Sequence, residues 1–355
     1  MIFQQFRHEA GSCLSYLFGC TRTGVCAVVD SQLKVEPYLK LAEKQKMKIT
    51  HIFETHSQAD HLSGARKLSE ISGAPVYFHE SVRAGMPVVK VKDGQQVRLG
   101  NVVIKVLHTP GHTPDSLCFL VSDTTRSDDP WLVLTGDTLF VGDTGRPDLE
   151  GDAGQLYDSI WGKLLTLDDI VEVYPTHYSG SVCGRSMSPK PISTIGFEKR
   201  FNPSLQVSSK QEFIEFVTAN LPLQPPRFKK VREFNLGFLK EPPIEKTYDV
   251  QDLQITVEEL KQRIDSGKAP FLLDVRESFE REYADIGGRL IPLGQIPKRL
   301  TELDPKQEIV VYCHHGNRSQ RVVEFLYENG FTNVKNLTGG IEEWTNKIDP
   351  TVPRY

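Results

Sequence analysis

The sequence predicts two α/β domains in tandem: a layered αββα sandwich followed by a small α/β domain with a mostly parallel sheet. Three observations carry this expectation. Short apolar runs separated by turn residues crowd the first 200 residues, a Pro-rich break follows, and strand–helix alternation fills roughly the last hundred. A chain of 355 residues also exceeds one average domain. We set the domains at 1–240, with a Pro-rich connector running on to about 251, and at 252–355.

In order along the chain, strand-like runs fall at Cys26 to Asp30, Ile49 to Phe53, Pro75 to Phe78, Val102 to Leu107, Leu117 to Val121 and Trp131 to Thr135. They lie closer together than βαβ units usually allow, while Val35 to Lys46 and His61 to Ser72 have helical periodicity. Meanders of strands with helices outside give the sandwich. A helix is expected at Ser209 to Asn220. Pro222-Leu-Gln-Pro-Pro-Arg-Phe-Lys-Lys230 and Glu241-Pro-Pro-Ile244 then suit a stiff connector. Beyond it come a helix from Thr256, its cap, to Ser266, a strand at Phe271 to Val275, a strand at Ile309 to Cys313, and a helix at Ser319 to Asn329.

Composition narrows the function classes. Apolar content of 39% and charge of 25% are those of a globular protein with ample core, and a net charge of −4 argues against nucleic acid as a partner. No apolar run approaches a membrane span, and Met1 to Arg7 lacks the pattern of a secretory signal. Cys13, Cys20, Cys26, Cys118, Cys183 and Cys313 are spread without CxxC spacing, so a disulfide framework or zinc ribbon is not expected and a cytoplasmic setting is. All but Cys313 read as buried or incidental thiols.

Four motifs place chemistry at strand ends: Thr55-His56-Ser57-Gln58-Ala59-Asp60-His61, Thr109-Pro110-Gly111-His112-Thr113, Gly136-Asp137-Thr138-Leu139-Phe140, and Pro175-Thr176-His177. One His after a strand is usually surface or core, but four such sites in this order point to a metal. The first motif resembles the His-x-His-x-Asp-His signature of the metallo-β-lactamase fold, with an amide, Gln58, in the second His position. Gln is a poor ligand beside imidazole. With His112 and Asp137, the remaining set is two His and one carboxylate, the facial triad of non-haem Fe(II) enzymes that use oxygen. The fold's second metal position would use Asp60, His61 and His177 with a bridging carboxylate. The competing reading, which we prefer, has these three hydrogen-bonding the true ligands and orienting them. His108 reads as structural.

Gly142-Asp-Thr-Gly-Arg146-Pro-Asp148-Leu149 lies just beyond Asp137, and together with the motif around Asp137 it is similar to the persulfide dioxygenase branch of that fold. The resemblance covers residues 1 to about 235. It implies one Fe(II) per chain on His56, His112 and Asp137, oxidising a low-molecular-weight persulfide such as glutathione persulfide with O2 to sulfite. In that family the position of Gln58 is commonly His but does not bind the iron. Arg146 is a candidate anchor for a substrate carboxylate, against a structural Arg146–Asp148 pair; Tyr178 is a candidate pocket residue, against ordinary packing. The basic residues of Gly180 to Ser186 and Thr194 to Asn202 suit an anionic thiol carrier, or plain solvation.

In the second domain, Tyr312-Cys313-His314-His315-Gly316-Asn317-Arg318-Ser319 joins a strand to a helix. A Cys there faces successive backbone N–H groups and a helix N-terminus, which stabilise a thiolate, and Arg318 adds positive charge. Cys-dependent phosphatases need Cys-x5-Arg to encircle a phosphate; Cys313 to Arg318 is the tighter Cys-x4-Arg. With Leu273-Asp274-Val-Arg276-Glu277 and Leu337-Thr-Gly339-Gly340-Ile-Glu-Glu-Trp344, residues 252–355 resemble rhodaneses, which implies Cys313 as the nucleophile that carries sulfur as a persulfide. His314, His315, Gly316, Asn317 and Ser319 complete the loop; Asp274, Arg276, Gly339, Gly340 and Trp344 read as scaffold.

Both halves then handle sulfane sulfur, and the expected partners are small thiols and persulfides, thiosulfate and O2, with no membrane or nucleic acid; a homodimer is compatible. Two other classes stand beside this reading: a zinc-dependent thioester hydrolase of the glyoxalase II type carrying a sulfur-carrier domain, and a non-catalytic sulfur-trafficking module.

Overall fold

The computed structural model describes residues 1–8, 12–179, 181, 183–184, 187–219, 221, 228–243 and 250–354. These fall into two compact units, divided near residue 243.

The first unit holds two six-stranded sheets. One is ordered β1 (Ile2–His8), β2 (Cys13–Cys20), β3 (Val25–Val29), β4 (Lys48–Phe53), β5 (Val76–His79), β6 (Val89–Val91). The other runs β7 (Gln96–Leu99), β8 (Val102–His108), β9 (Leu117–Asp123), β10 (Leu132–Gly136), β11 (Glu172–Pro175), β12 (Ser193–Thr194). The first sheet is antiparallel up to β3 and parallel beyond; in the second only the β10–β11 pair is parallel.

Period-2 alternation sends side chains to two different cores. Along β2, Tyr16 and Phe18 enter the layer between the sheets with Phe53, Ile104 and Phe119, while Leu17 enters an outer layer with Val28 and Ile52. That outer layer is capped by α1 (Glu36–Lys44) and α2 (Ala65–Ser72) through Tyr38, Ala42, Ala65 and Leu68. Behind the second sheet, α3 (Ala153–Ser159) and a later helix bring Leu156 and Phe213 against Leu120 and Val133. Helices outside two facing sheets make the αββα order. The expected strands are present; β1, β2, β6, β7 and β12 are additional.

Helix α2 begins at Ala65, later than the periodicity from His61 implied. Its would-be first turn is held open, because Asn235 takes the N–H of Ser63 and donates to the carbonyls of Gln58 and His61. Helix α4 (Ile195–Phe201) precedes α5 (Lys210–Thr218), which is capped by Ser209.

Residues 228–240 fall in the first domain as expected, but the connector reading needs correction over 228–235. Phe228–Asn235 is a helix, α6, whose Phe228, Val231 and Phe234 are buried, and residues 228–243 belong to the first unit. Its 3.6-residue apolar spacing was overshadowed by the flanking prolines. Residues 222–227 and 244–249 lie outside the described residues.

The second unit has one five-stranded sheet, all parallel, in the order β13 (Gln254–Ile255), β17 (Val334–Leu337), β16 (Ile309–Tyr312), β14 (Phe271–Asp274), β15 (Arg289–Leu290). Its helices include α7 (Val257–Asp265), α8 (Ser278–Tyr283), α9 (Asn317–Glu328) and α10 (Gly340–Lys347). Thr256 and Glu259 close a capping box on α7, which fixes its start where the sequence put it. Among the described residues, no helix is long and apolar enough to cross a membrane.

Candidate metal centre and thiol loop

Four loops at the ends of β4, β8, β10 and β11 converge, and Asp30, after β3, pins the first and last of them. The Asp30 carboxylate accepts from the N–H (2.8 Å) and Oγ1 (3.1 Å) of Thr55, from Gln58 Nε2 (3.0 Å) and from Thr176 Oγ1 (3.2 Å). Burial pushes this carboxyl up to about 6, against the hydrogen bonds from Thr55. Gly136 turns β10 toward the site at φ +52°, and a Cβ there would stand 2.8 Å from Thr55 Cβ. No other residue type fits that turn without strain.

His56, His112 and Asp137 come together, all buried, each with a donor atom within 4.8 Å of the others'. Asp137 Oδ2 lies 3.4 Å from His112 Nε2 and 3.9 Å from His56 Nε2. The far side of each ring is committed elsewhere. His112 Nδ1 donates to the Arg146 carbonyl at 2.8 Å, and His56 Nδ1 meets Thr55 Oγ1 at 3.0 Å. A carbonyl can only accept, so His112 carries a proton on Nδ1, and Nε2 is the nitrogen turned toward Asp137. Burial lowers His56 to about 4, leaving it neutral. Asp137 Oδ1 takes His177 Nδ1 at 2.8 Å, whereas Asp137 Oδ2 is buried with no hydrogen-bond partner among the described residues. Burial alone would raise the Asp137 carboxyl; His177, His112 and His56 hold it below the usual carboxylate range. Two inward imidazole nitrogens facing a buried carboxylate oxygen fit a divalent cation.

Asp60, His61 and His177 form an adjoining chain. Asp60 Oδ2 is 2.8 Å from His177 Nε2, and Asp60 Oδ1 is 3.1 Å from His61 Nδ1. His177 thus links Asp60 to Asp137. Burial opposes charge on both imidazoles, yet Asp137 and Asp60 raise His177, and Cys13 and Asp60 raise His61. Gln58 is fully buried and its Nε2 is committed to Asp30. Arg146 is buried, with Nε and Nη2 each 2.8 Å from the two oxygens of Asp148. Tyr178 is half-buried, with the Arg7 guanidinium 4.7 Å above its ring. His108 bonds the Pro114 carbonyl at 2.8 Å and stacks on His79. Arg185 lies outside the described residues.

Sequence reasoning missed several residues here. Cys13 and Cys183 are buried as expected, but Cys13 stands with Asp60, His61 and His177, and Cys183 with Asp137 and His177, neighbours that the sequence did not show. Burial raises the Cys13 thiol, but His61 and His177 bring it down to about 7. Asp115 accepts from the N–H (2.7 Å) and Oγ (3.0 Å) of Ser57, and Arg232 from α6 ties Ser57 to Glu150. None carries a local sequence signal; Asp115 sits three residues past His112 and was passed over.

In the second unit, Cys313 follows β16 and its Sγ accepts from Gly316 N–H (3.2 Å), Ser319 N–H (3.4 Å) and Ser319 Oγ (3.3 Å). These donors open α9, so the helix terminus faces the sulfur as expected. Gly316 makes the turn at φ +91°. Gly340 (φ +61°) is packed under the loop, where a Cβ would sit 2.4 Å from the Cys313 carbonyl oxygen and 2.3 Å from that of His314. The N–H groups of Ile341 and Glu342 take those same carbonyls. Arg318 places its two terminal nitrogens 2.6 Å from the oxygens of Glu280, a buried residue of α8. His314 stacks on His315, which is exposed, as is Asn317. Beneath, Arg276 is wholly buried on Asp274 and lies over the ring of Tyr312.

Residues 8–177 match the metallo-beta-lactamase superfamily, and residues 256–347 match the rhodanese-like domain. A solved metallo-beta-lactamase from Staphylococcus aureus subsp. aureus COL is 27% identical with a TM-score of 0.64, covering 95% of this chain and 98% of its own. The structure of ETHE1 from Myxococcus xanthus is 34% identical with a TM-score of 0.58, covering 66% of this chain and 100% of its own. The human mitochondrial persulfide dioxygenase ETHE1 is 26% identical, over 64% of this chain and 84% of that protein. A hydroxyacylglutathione hydrolase from Francisella tularensis subsp. novicida is 28% identical, over 60% of this chain and 90% of that protein.

Proposed function

We propose that this chain, which belongs to the metallo-β-lactamase superfamily and ends in a rhodanese-like domain, oxidises a small-molecule persulfide with O2 and transfers sulfane sulfur through Cys313. The observation that carries the oxidative half is Asp137 Oδ2, buried without a hydrogen-bond partner among the described residues and facing the Nε2 atoms of His56 and His112. With Gln58 bonded to Asp30, the donor set is two imidazoles and one carboxylate, the type that holds a single Fe(II) with positions open. Iron would supply the activation of O2 beside the persulfide sulfur. The chain's own residues do the rest. Thr55 and the Arg146 carbonyl orient the two rings, and His177 orients Asp137, with Asp60 and His61 behind it. The overall change balances as RSSH + O2 + H2O giving RSH, sulfite and two protons.

In the second domain, the Cys313 thiolate attacks the outer sulfur of thiosulfate, the S–S bond breaks and sulfite leaves. A small thiolate, such as that of glutathione, then takes the outer sulfur from Cys313 and regenerates the thiolate. The three N–H and O–H donors around Sγ would stabilise the anion, whereas Arg318 is ion-paired with Glu280 and its charge is offset there. A reducing compartment such as the cytoplasm suits a chain whose six cysteines are all unpaired.

The likeness to a hydroxyacylglutathione hydrolase favours a second reading, a zinc thioester hydrolase. Metal analysis of the purified chain together with oxygen uptake decides between them. One iron per chain and O2 consumption that depends on added glutathione persulfide support the proposal. Zinc-dependent thioester cleavage without oxygen uptake overturns it.

A further inference from the structure

Charged side chains around the thiol loop are arranged in pairs. Arg318 directs both terminal nitrogens at Glu280, each 2.6 Å from one carboxylate oxygen. That carboxylate also accepts the N–H of Glu277 at 3.0 Å, in a capping box that fixes it in the first turn of α8. Its side chain is 7% exposed, against 35% for Arg318. The anion is thus the fixed member of the pair, and the cation is drawn to it. His314 faces Glu342 at 3.5 Å; burial and the stacked His315 lower it, so that ring stays uncharged at physiological pH. Arg276 is bound to Asp274 beneath. What reaches the sulfur is dipolar: the N–H groups of Gly316 and Ser319 and the Ser319 hydroxyl.

Sulfur donors differ in how much charge they bring to such a loop. Thiosulfate is a dianion, so attack by the Cys313 thiolate gathers three negative charges on the reacting groups. The outer sulfur joins Sγ, the old S–S bond breaks, and sulfite leaves with the electron pair. A small organic persulfide carries at most one charge on its sulfurs. The same attack then gathers one or two charges, and the leaving group is a thiolate. A helix start offers the equivalent of about half a positive charge, so the dianion has most to gain from a whole one. Arg318, the residue before Ser319, could supply it, and Glu280 offsets it.

We propose that Glu280 determines which donor loads Cys313: by neutralising Arg318 it disfavours dianionic thiosulfate and favours a donor of lower charge, a small organic persulfide. The proposal rests on the reading of Cys313 as the sulfur carrier. Glu280 acts through Arg318 and not on the sulfur itself, as a positioning residue. Thiosulfate remains a substrate, but a poorer one than the loop would accept with the Arg318 charge uncompensated.

The test is Glu280→Gln in the full chain, which keeps the shape of the side chain and removes its charge. Assays run without oxygen, so that the iron site consumes no persulfide. The ratio of kcat/KM for thiosulfate to that for glutathione persulfide should rise about tenfold, through a lower KM for thiosulfate. Taking the ratio cancels any change in the thiolate, which both donors share. Adding Arg318→Met to Glu280→Gln should return the ratio to its native value, which loosened packing alone would not do. An unchanged ratio in a chain that transfers sulfur, or a rise that survives Arg318→Met, overturns the proposal alone. No transfer from either donor in the native chain overturns the carrier reading beneath it. A further check needs no folded variant. Iodoacetate and iodoacetamide differ by one negative charge, and their alkylation of Cys313 is read by peptide mass. In the native chain their rate ratio should fall less than about twofold from low to high salt, because a paired cation leaves little field to screen. A steep fall would show Arg318 already acting on anions and overturns the proposal.

Discussion

The two candidate sites are built by opposite means. The metal centre is assembled from side chains on loops that lie far apart in the chain, from His56 to His177, and its precision rests on neighbours such as Asp30, Arg146 and Asn235. The thiol loop is contiguous, from Cys313 to Ser319, and most of what faces the sulfur is backbone N–H from a helix start. The difference teaches where each is vulnerable. On the roles proposed above, truncating one side chain would empty the first of a ligand, whereas the second would fail when Cys313 goes or when backbone packing under it is disturbed.

The sharpest test of that contrast is a double dissociation. Asp137→Ala should abolish iron retention and persulfide-dependent oxygen uptake while thiosulfate:thiol transfer continues. Cys313→Ser should do the reverse, sparing oxidation of a supplied persulfide. Loss of both activities in either folded variant would mean that the sites act as one unit.

A smaller effect comes from removing support without touching a ligand. Asn235→Ala deletes three hydrogen bonds to the metal loop, to Gln58 O, His61 O and Ser63 N. Buried groups left unpaired cost roughly 1–3 kcal/mol, and loss of such support lowers metal affinity by about 10–100-fold. Thermal unfolding and an iron competition assay should show both, with sulfur transfer at the native rate. In the other region, Gly340→Ala forces a Cβ onto the Cys313 and His314 carbonyls at a positive φ. The strain should cost on the order of 1–3 kcal/mol and slow sulfur transfer only. Native transfer in that variant would show that the loop is not held by this packing.

The smallest effect is expected at Gln58. Gln58→His restores the usual residue at a position whose side chain faces Asp30, so oxygen uptake should persist with stability changed by about 1 kcal/mol. A second tightly held iron or a loss of oxygen uptake would show that the amide shapes the metal set directly.

The same contrast governs what could be read in advance. The contiguous loop, Tyr312 to Ser319, declared its strand, its thiol and its helix within eight residues, and the four metal motifs were legible because each sits at the end of an apolar strand. Strand β2 was not, because both its faces are buried and Cys-Leu-Ser-Tyr-Leu-Phe-Gly-Cys shows no polar alternation. With it went Cys13, whose chemistry depends on a bridge to a residue 164 positions later (177 minus 13). Helix α6 was masked by prolines on either side. Arg146 illustrates the limit at the level of one side chain: a guanidinium near a metal motif reads equally as an anchor or an ion pair, and only the fold shows its fork resting on Asp148.

The clasp made by Asn235 also has a temporal meaning. It closes on His61 across 174 residues, so the loop carrying the first metal motif waits for the end of its own domain to be synthesised. Long-range closure of this kind is slow compared with local helix formation. A chain halted at residue 219, before the prolines, would hold every proposed ligand and still lack the residue that clasps the loop of His56. We expect a polypeptide emerging from the ribosome to gain firm hold of iron only once residue 235 is free to fold back, at the threshold of the second domain.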